Sequence, residues 1–136
     1  MQISNPTDMS EQDQLTEEQE IYKENIIDHY KNPHNKCKLK NSTHTEKGIN
    51  PMCGDHIVIY LHVTNDTITD VSFEGDGCAI SQASISLLTD AIKGKKVTDA
   101  LKLTESDIYE LLGIPISHTR RKCALLSLTT LKKALE

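Results

Sequence analysis

Ile57, Ile59, Leu61 and Val63 alternate with His56, Val58, Tyr60 and His62. Side chains along a strand point to opposite faces in turn, so this period of two predicts a strand with one face in a core. Asn65-Asp66 is a turn signal, and residues 68–74 resume strand character with Val71 and Phe73 on one face. A weaker strand is expected over residues 39–46, within the polar stretch 34–50, which makes an antiparallel meander of three strands. After Gly75-Asp76-Gly77 the period changes to 3.6. Residues 78–93 then read as a helix closed by Gly94. Further helices are expected over 97–101, over 105–112 behind a Thr104 cap, and from beyond Pro115 to the C-terminus. Upstream, Thr16-Glu17-Glu18-Gln19 fits a capping box, so a helix opens near Glu17. Tyr22, Ile26 and Tyr30 give it an apolar face, and Asn32-Pro33 ends it. The order predicts an α+β fold, a three-stranded antiparallel sheet packed by about five helices.

The 136 residues suffice for one domain, and with no Trp and a single Phe its core must be mainly aliphatic. No run of about 18 apolar residues crosses a membrane, and no basic start leads into an apolar stretch, so a cytoplasmic protein is expected. The formal charge of −5 is unevenly spread. Residues 1–19 hold five acidic side chains and no Lys or Arg, which leaves 15 acidic and 15 basic residues elsewhere. An acidic disordered tail over residues 1–16 and one folded domain over 17–136 are therefore expected. Neither a nucleic-acid groove nor a basic membrane patch follows from this balance, and neither partner is expected.

Cysteines stand at 37, 53, 78 and 123. Cys53 and Asp55 are two apart and share parity with Ile57, Ile59 and Leu61, so they are expected at the end of the core-facing row. A carboxylate aimed at a core face needs a partner, and a metal ion would be one. Cys78 follows "EGDG" at a helix start, where free N–H groups favour a thiolate. Cys123 follows Arg120, Arg121 and Lys122, cations near enough to balance an anionic site. Three thiols and a carboxylate match the ligand count of a tetrahedral zinc or iron site. The spacings are long and irregular, however, and each thiol alone reads more readily as an inert buried cysteine than as a ligand.

"NPMCGD", "EGDGCAISQASISLL" and "RRKCALLSLTTLKKAL", together with "IIDHYKNPHN", closely resemble the IscU/SufU/NifU-type iron–sulfur cluster assembly scaffolds over roughly residues 20–136. The resemblance implies a SufE/NifU-like α+β sandwich whose three cysteines and aspartate gather at one exposed end. Carried over by motif, Cys53, Asp55, Cys78 and Cys123 hold zinc, iron or a transient [2Fe–2S] cluster. Cys123 is the implied acceptor of sulfur from a cysteine desulfurase, and apo iron–sulfur proteins are the implied recipients. The role is that of a scaffold and sulfur acceptor more than of an enzyme.

Two features pull apart. IscU-type members carry His immediately before the last cysteine; here Lys122 occupies that position, as in SufU-type members. SufU-type members often carry an insertion before that block, and "KLTESDIYELLGIPISHTRRKC" has none. Cluster assembly and a zinc-dependent sulfur relay both remain open at this stage. So do two weaker readings, a thiol enzyme built on Cys78 and a purely structural zinc site. Cys37 is expected to be an ordinary loop cysteine. His56 and His62 are expected on the solvated strand face, and His118 near the site only if it sits in a loop. "GDGC" without a following Lys-Ser/Thr makes a poor phosphate loop.

Overall fold

The computed structural model describes residues 15–136, and the acidic tail expected over residues 1–16 lies, but for its last two positions, outside the described residues. Helix α1 runs Glu17–Lys31. Its capping box forms as expected: the Gln19 amide donates to Thr16 Oγ1 and the Thr16 amide to Gln19 Oε1, both at 3.1 Å. The buried side of α1 differs from the expected one. Ile26 and His29 face inward, whereas Tyr30 is 47% exposed. The cause lies across the interface, where Ser86 meets His29 Nδ1 at 2.7 Å and a polar side chain is accommodated in place of an aromatic one. Burial, reinforced by the neighbouring His34, pushes the His29 imidazole below its ordinary value.

The sheet is antiparallel in the order β1-β2-β3, with β1 His44–Asn50, β2 Asp55–Thr64 and β3 Thr67–Asp76. The first strand lies several residues later than residues 39–46. β1 is polar and has little pattern of its own, so its register is set by pairing with β2, from His44 opposite Leu61 to Asn50 opposite Asp55. The β2–β3 turn places Asn65 and Asp66 both at positive φ, as a two-residue hairpin requires.

Four helices follow: α2 Ala79–Ile92, α3 Val97–Leu101, α4 Glu105–Leu112 and α5 Arg121–Leu135, the last preceded by a 3-10 turn, His118–Arg120. Ile57, Ile59 and Leu61 of β2, with Val71 and Phe73 of β3, pack against Ile85, Leu88 and Ile92 of α2 and Leu128 and Leu131 of α5. At about 1.5–3 kcal/mol for each buried aliphatic or aromatic side chain, this single layer of contacts is the main stabilising term. The small residues early in α2 let α5 come close: Ser84 Oγ donates to the Ala124 carbonyl at 2.7 Å and lies 2.8 Å from Ser127 Oγ. Among the described residues the α+β architecture, three strands and five α-helices, is the expected one. Among the described residues no helix is long and apolar enough to cross a membrane.

Candidate metal centre

Three chain reversals end at one place. β2 begins at Asp55, β3 finishes at Asp76 beside it, α2 begins after Cys78, and the first turn of α5 carries Cys123. Asp55 is fully buried and faces inward with Ile57, as its strand parity predicts. Cys53 reaches the same place by another route. It lies in the turn 51–54, not on the strand, and is exposed. The Cys53 and Gly54 amides both donate to the Asn50 carbonyl, at 3.3 and 3.0 Å, and Gly54 takes a φ of 72°. That left-handed step, open to glycine without strain, reverses the chain and returns the thiol over Asp55.

Cys53, Asp55 and Cys123 each offer one donor atom, and the three lie within 4.8 Å of one another. The Cys53 and Cys123 sulfurs are 3.2 Å apart, and both thiols are free. Cys78 is not part of this tight triad but adjoins Cys123 from the α2 side. As the N-cap of α2 its sulfur accepts from the Ser81 amide at 3.5 Å. The four residues singled out in the sequence therefore meet, with three converged and Cys78 at the rim. Cys37 is exposed, His56 is exposed on the opposite strand face, and His118 is exposed in the 3-10 turn.

The electrostatics favour a cation. Asp55 Oδ1 accepts from the Cys78 amide at 2.9 Å, but Oδ2 is buried with no hydrogen-bond partner. Leaving such an oxygen bare costs free energy that a bound metal would offset. Burial, then contacts with Cys53, Asp55 and Cys78, push the Cys123 thiol well above its ordinary range. Several acids packed this closely cannot all ionise unless positive charge joins them. Arg120, Arg121 and Lys122 are exposed around Cys123 and, among the described residues, make no ion pair with a carboxylate. Gly77 lets the parts close: a Cβ there would overlap the Asp55 carboxylate and Ser81 Oγ. The donor set and the orphaned oxygen fit a metal held by thiolates and one carboxylate.

Two supporting residues escaped the sequence reading. Asn50 is buried, takes both turn amides on its carbonyl, and donates from Nδ2 to Cys123 Sγ at 3.7 Å. Ser81 donates its amide to the Cys78 sulfur and its hydroxyl to the Cys78 carbonyl, the latter at 3.1 Å. A polar residue opening a turn before a thiol was the available signal for Asn50; no pattern pointed to Ser81.

The NifU-like N-terminal domain family model matches residues 21–136. The zinc-dependent sulfurtransferase SufU of Bacillus subtilis is 38% identical, with 85% of this chain and 89% of that protein covered. The iron–sulfur cluster assembly scaffold protein IscU 1 of Archaeoglobus fulgidus is 33% identical, with 85% and 74% covered. Among solved structures, a protein proposed as the iron–sulfur cluster assembly scaffold of the SUF system in Fervidobacterium islandicum AW-1 superimposes with a TM-score of 0.76. It is 33% identical, and the match covers 86% of this chain and 98% of that one.

Proposed function

The chain belongs to the NifU-like N-terminal domain family, and from that membership we propose that it is an iron–sulfur cluster assembly scaffold, which receives sulfur and iron, holds a labile [2Fe–2S] unit as cargo and passes it to apo-proteins. The observation that carries this reading is the Asp55 carboxylate, buried among thiols with one oxygen unpartnered. An all-thiolate set holds metal in a closed, inert way, whereas a harder carboxylate suits a metal that must leave. Cys53, Asp55, Cys78 and Cys123 are the ligands in this reading.

Cys123 is the sulfur acceptor. Its thiolate attacks the outer sulfur of a persulfide on a cysteine desulfurase. The donor's S–S bond breaks, the desulfurase cysteine leaves as a thiolate, and the outer sulfur remains on Cys123 as a new persulfide. Two electrons from an external reductant then convert that sulfur to sulfide. In the metal-free protein the buried Cys123 thiol resists ionisation, so a metal beside it would also create the nucleophile.

A second reading has its own support. Lys122 stands before Cys123, and a relative at 38% identity is named a zinc-dependent sulfurtransferase. In that reading Cys53, Asp55, Cys78 and Cys123 would hold zinc, which would favour their thiolates, and Cys123 would take the sulfur with no cluster built. The deciding experiment is anaerobic purification and metal analysis, then the visible spectrum after adding desulfurase, cysteine and ferrous iron. A thiolate–iron charge-transfer spectrum supports the scaffold. Tight zinc, stimulation of the desulfurase and no cluster would replace it with the relay.

A further inference from the structure

The far end of α2 carries a second convergence of metal-ligating side chains, unrelated to the thiols. Asp90 is twelve residues beyond Cys78, about 18 Å along the helix at 1.5 Å per residue. There His29 of α1, His34 of the following loop and Asp90 of α2 each offer one donor atom, and all lie within 4.8 Å of one another. The two imidazole centroids are 4.3 Å apart, inclined at 49°. We propose that His29, His34 and Asp90 form a second divalent-cation site, suited to a borderline metal such as zinc and containing no sulfur ligand.

The donor chemistry and the framework both support it. Two imidazoles and a carboxylate are a recurrent set for zinc with an open coordination position. Donors on one tetrahedral zinc lie about 3.3 Å apart, so closing the cluster needs shifts of about 1.5 Å at most. Side chains of His34 and Asp90 are 49% and 45% exposed and have room for that movement. The backbone beneath them is already fixed. Ser86 Oγ accepts the His34 amide at 2.8 Å and meets His29 Nδ1 at 2.7 Å, so by accepting from that nitrogen it leaves Nε2 of His29 free to ligate. Asn35, at a φ of 60°, donates from Nδ2 to Thr89 Oγ1 at 3.0 Å and to Asp90 Oδ1 at 2.9 Å, while its carbonyl takes the Phe73 amide at 2.9 Å. Within the cluster His34 Nδ1 and Asp90 Oδ2 sit 2.6 Å apart, a contact a cation would open and bridge.

Anaerobic titration of the full chain with cobalt(II) tests the site, because thiolate-to-cobalt absorption marks the cysteine centre and is absent from a nitrogen–oxygen centre. The expected result is two equivalents bound, the second adding no thiolate absorption. His34→Ala and Asp90→Asn should each weaken that second equivalent at least about tenfold and leave the thiolate-absorbing one unchanged. Binding of one equivalent only, or a second that survives both substitutions, overturns the proposal. In the unaltered protein, the ring resonances of His29 and His34 should move on addition of the second equivalent of zinc(II); rings that stay in place would overturn it as well.

Discussion

The Cys78 amide donates to Asp55 Oδ1 at 2.9 Å, tying the start of α2 to the start of β2 directly beneath the thiols. One carboxylate oxygen is thereby spent on the fold and the other, Oδ2, is left bare for a ligand. In the proposed function Asp55 therefore serves the framework of the site and its chemistry at once.

Replacing Asp55 should separate these roles. Asp55→Ala, which leaves an all-thiolate set, is expected to retain cluster or metal and to slow its transfer to an apo-acceptor. Stability should fall by about 1–3 kcal/mol from the orphaned Cys78 amide, partly offset by removal of the bare oxygen. Transfer followed by acceptor absorbance and stability by urea titration check both; unchanged transfer kinetics would remove Asp55 from the release step.

Two glycines beside the site should behave differently. Gly77→Ala drives a Cβ into the Asp55 carboxylate and Ser81 Oγ, so it should cost about 1–3 kcal/mol and weaken metal binding too. Gly54→Ala meets nothing within 4 Å and should cost about 1–2 kcal/mol from its left-handed backbone alone. Thermal melts with and without zinc distinguish a packing clash at the ligands from a backbone penalty.

Cysteine reactivity should be graded. Cys37 and Cys53 are exposed, whereas Cys123 is buried and its thiol is held above the ordinary range by burial and its neighbours. In metal-free protein, mass-resolved alkylation near neutral pH should label Cys37 and Cys53 well before Cys123. Metal should protect Cys53 and leave Cys37 reactive. Cys123→Ser should abolish persulfide transfer while Cys37→Ser leaves it intact; transfer that survives Cys123→Ser would show that sulfur is accepted elsewhere.

Away from the site, Tyr60 donates its hydroxyl to Glu74 Oε1 at 2.5 Å, and this bond, with burial and the carboxylate charge, raises the phenol above its ordinary value. A group that binds its proton more tightly when folded adds stability fully present below its unfolded value, near pH 10, and lost as pH rises through the folded one. One of the four tyrosines should therefore ionise late in an ultraviolet titration. Glu74→Ala should bring Tyr60 back toward the ordinary phenol value, and a titration unchanged by that substitution would place the cause in burial alone.

Much of the fold was legible because strands and helices write different periods. The alternation of Ile57 to Val63, the helical rhythm after Cys78 and the box at Thr16 each specify an element locally. β1 was misplaced because its register belongs to its partner strand. Spacing along α1 points Tyr30 inward and does not mark His29, because Ser86, 57 residues away, decides which side of α1 is buried.

The sequence by itself determined most of the secondary elements and the membership of the family, and it singled out Cys53, Asp55, Cys78 and Cys123 as candidates, since local period and short motifs are written along the chain. Only the tertiary structure decided how those residues meet. Cys53 comes back over Asp55 through a left-handed turn and not along a strand, Asn50 and Ser81 support the thiols, and His34 comes to rest against Asp90 from 56 residues away. The physical reason is that a ligand set is a condition on positions in space. Packing of α2 and α5 on the sheet satisfies that condition, and spacing along the chain does not encode it.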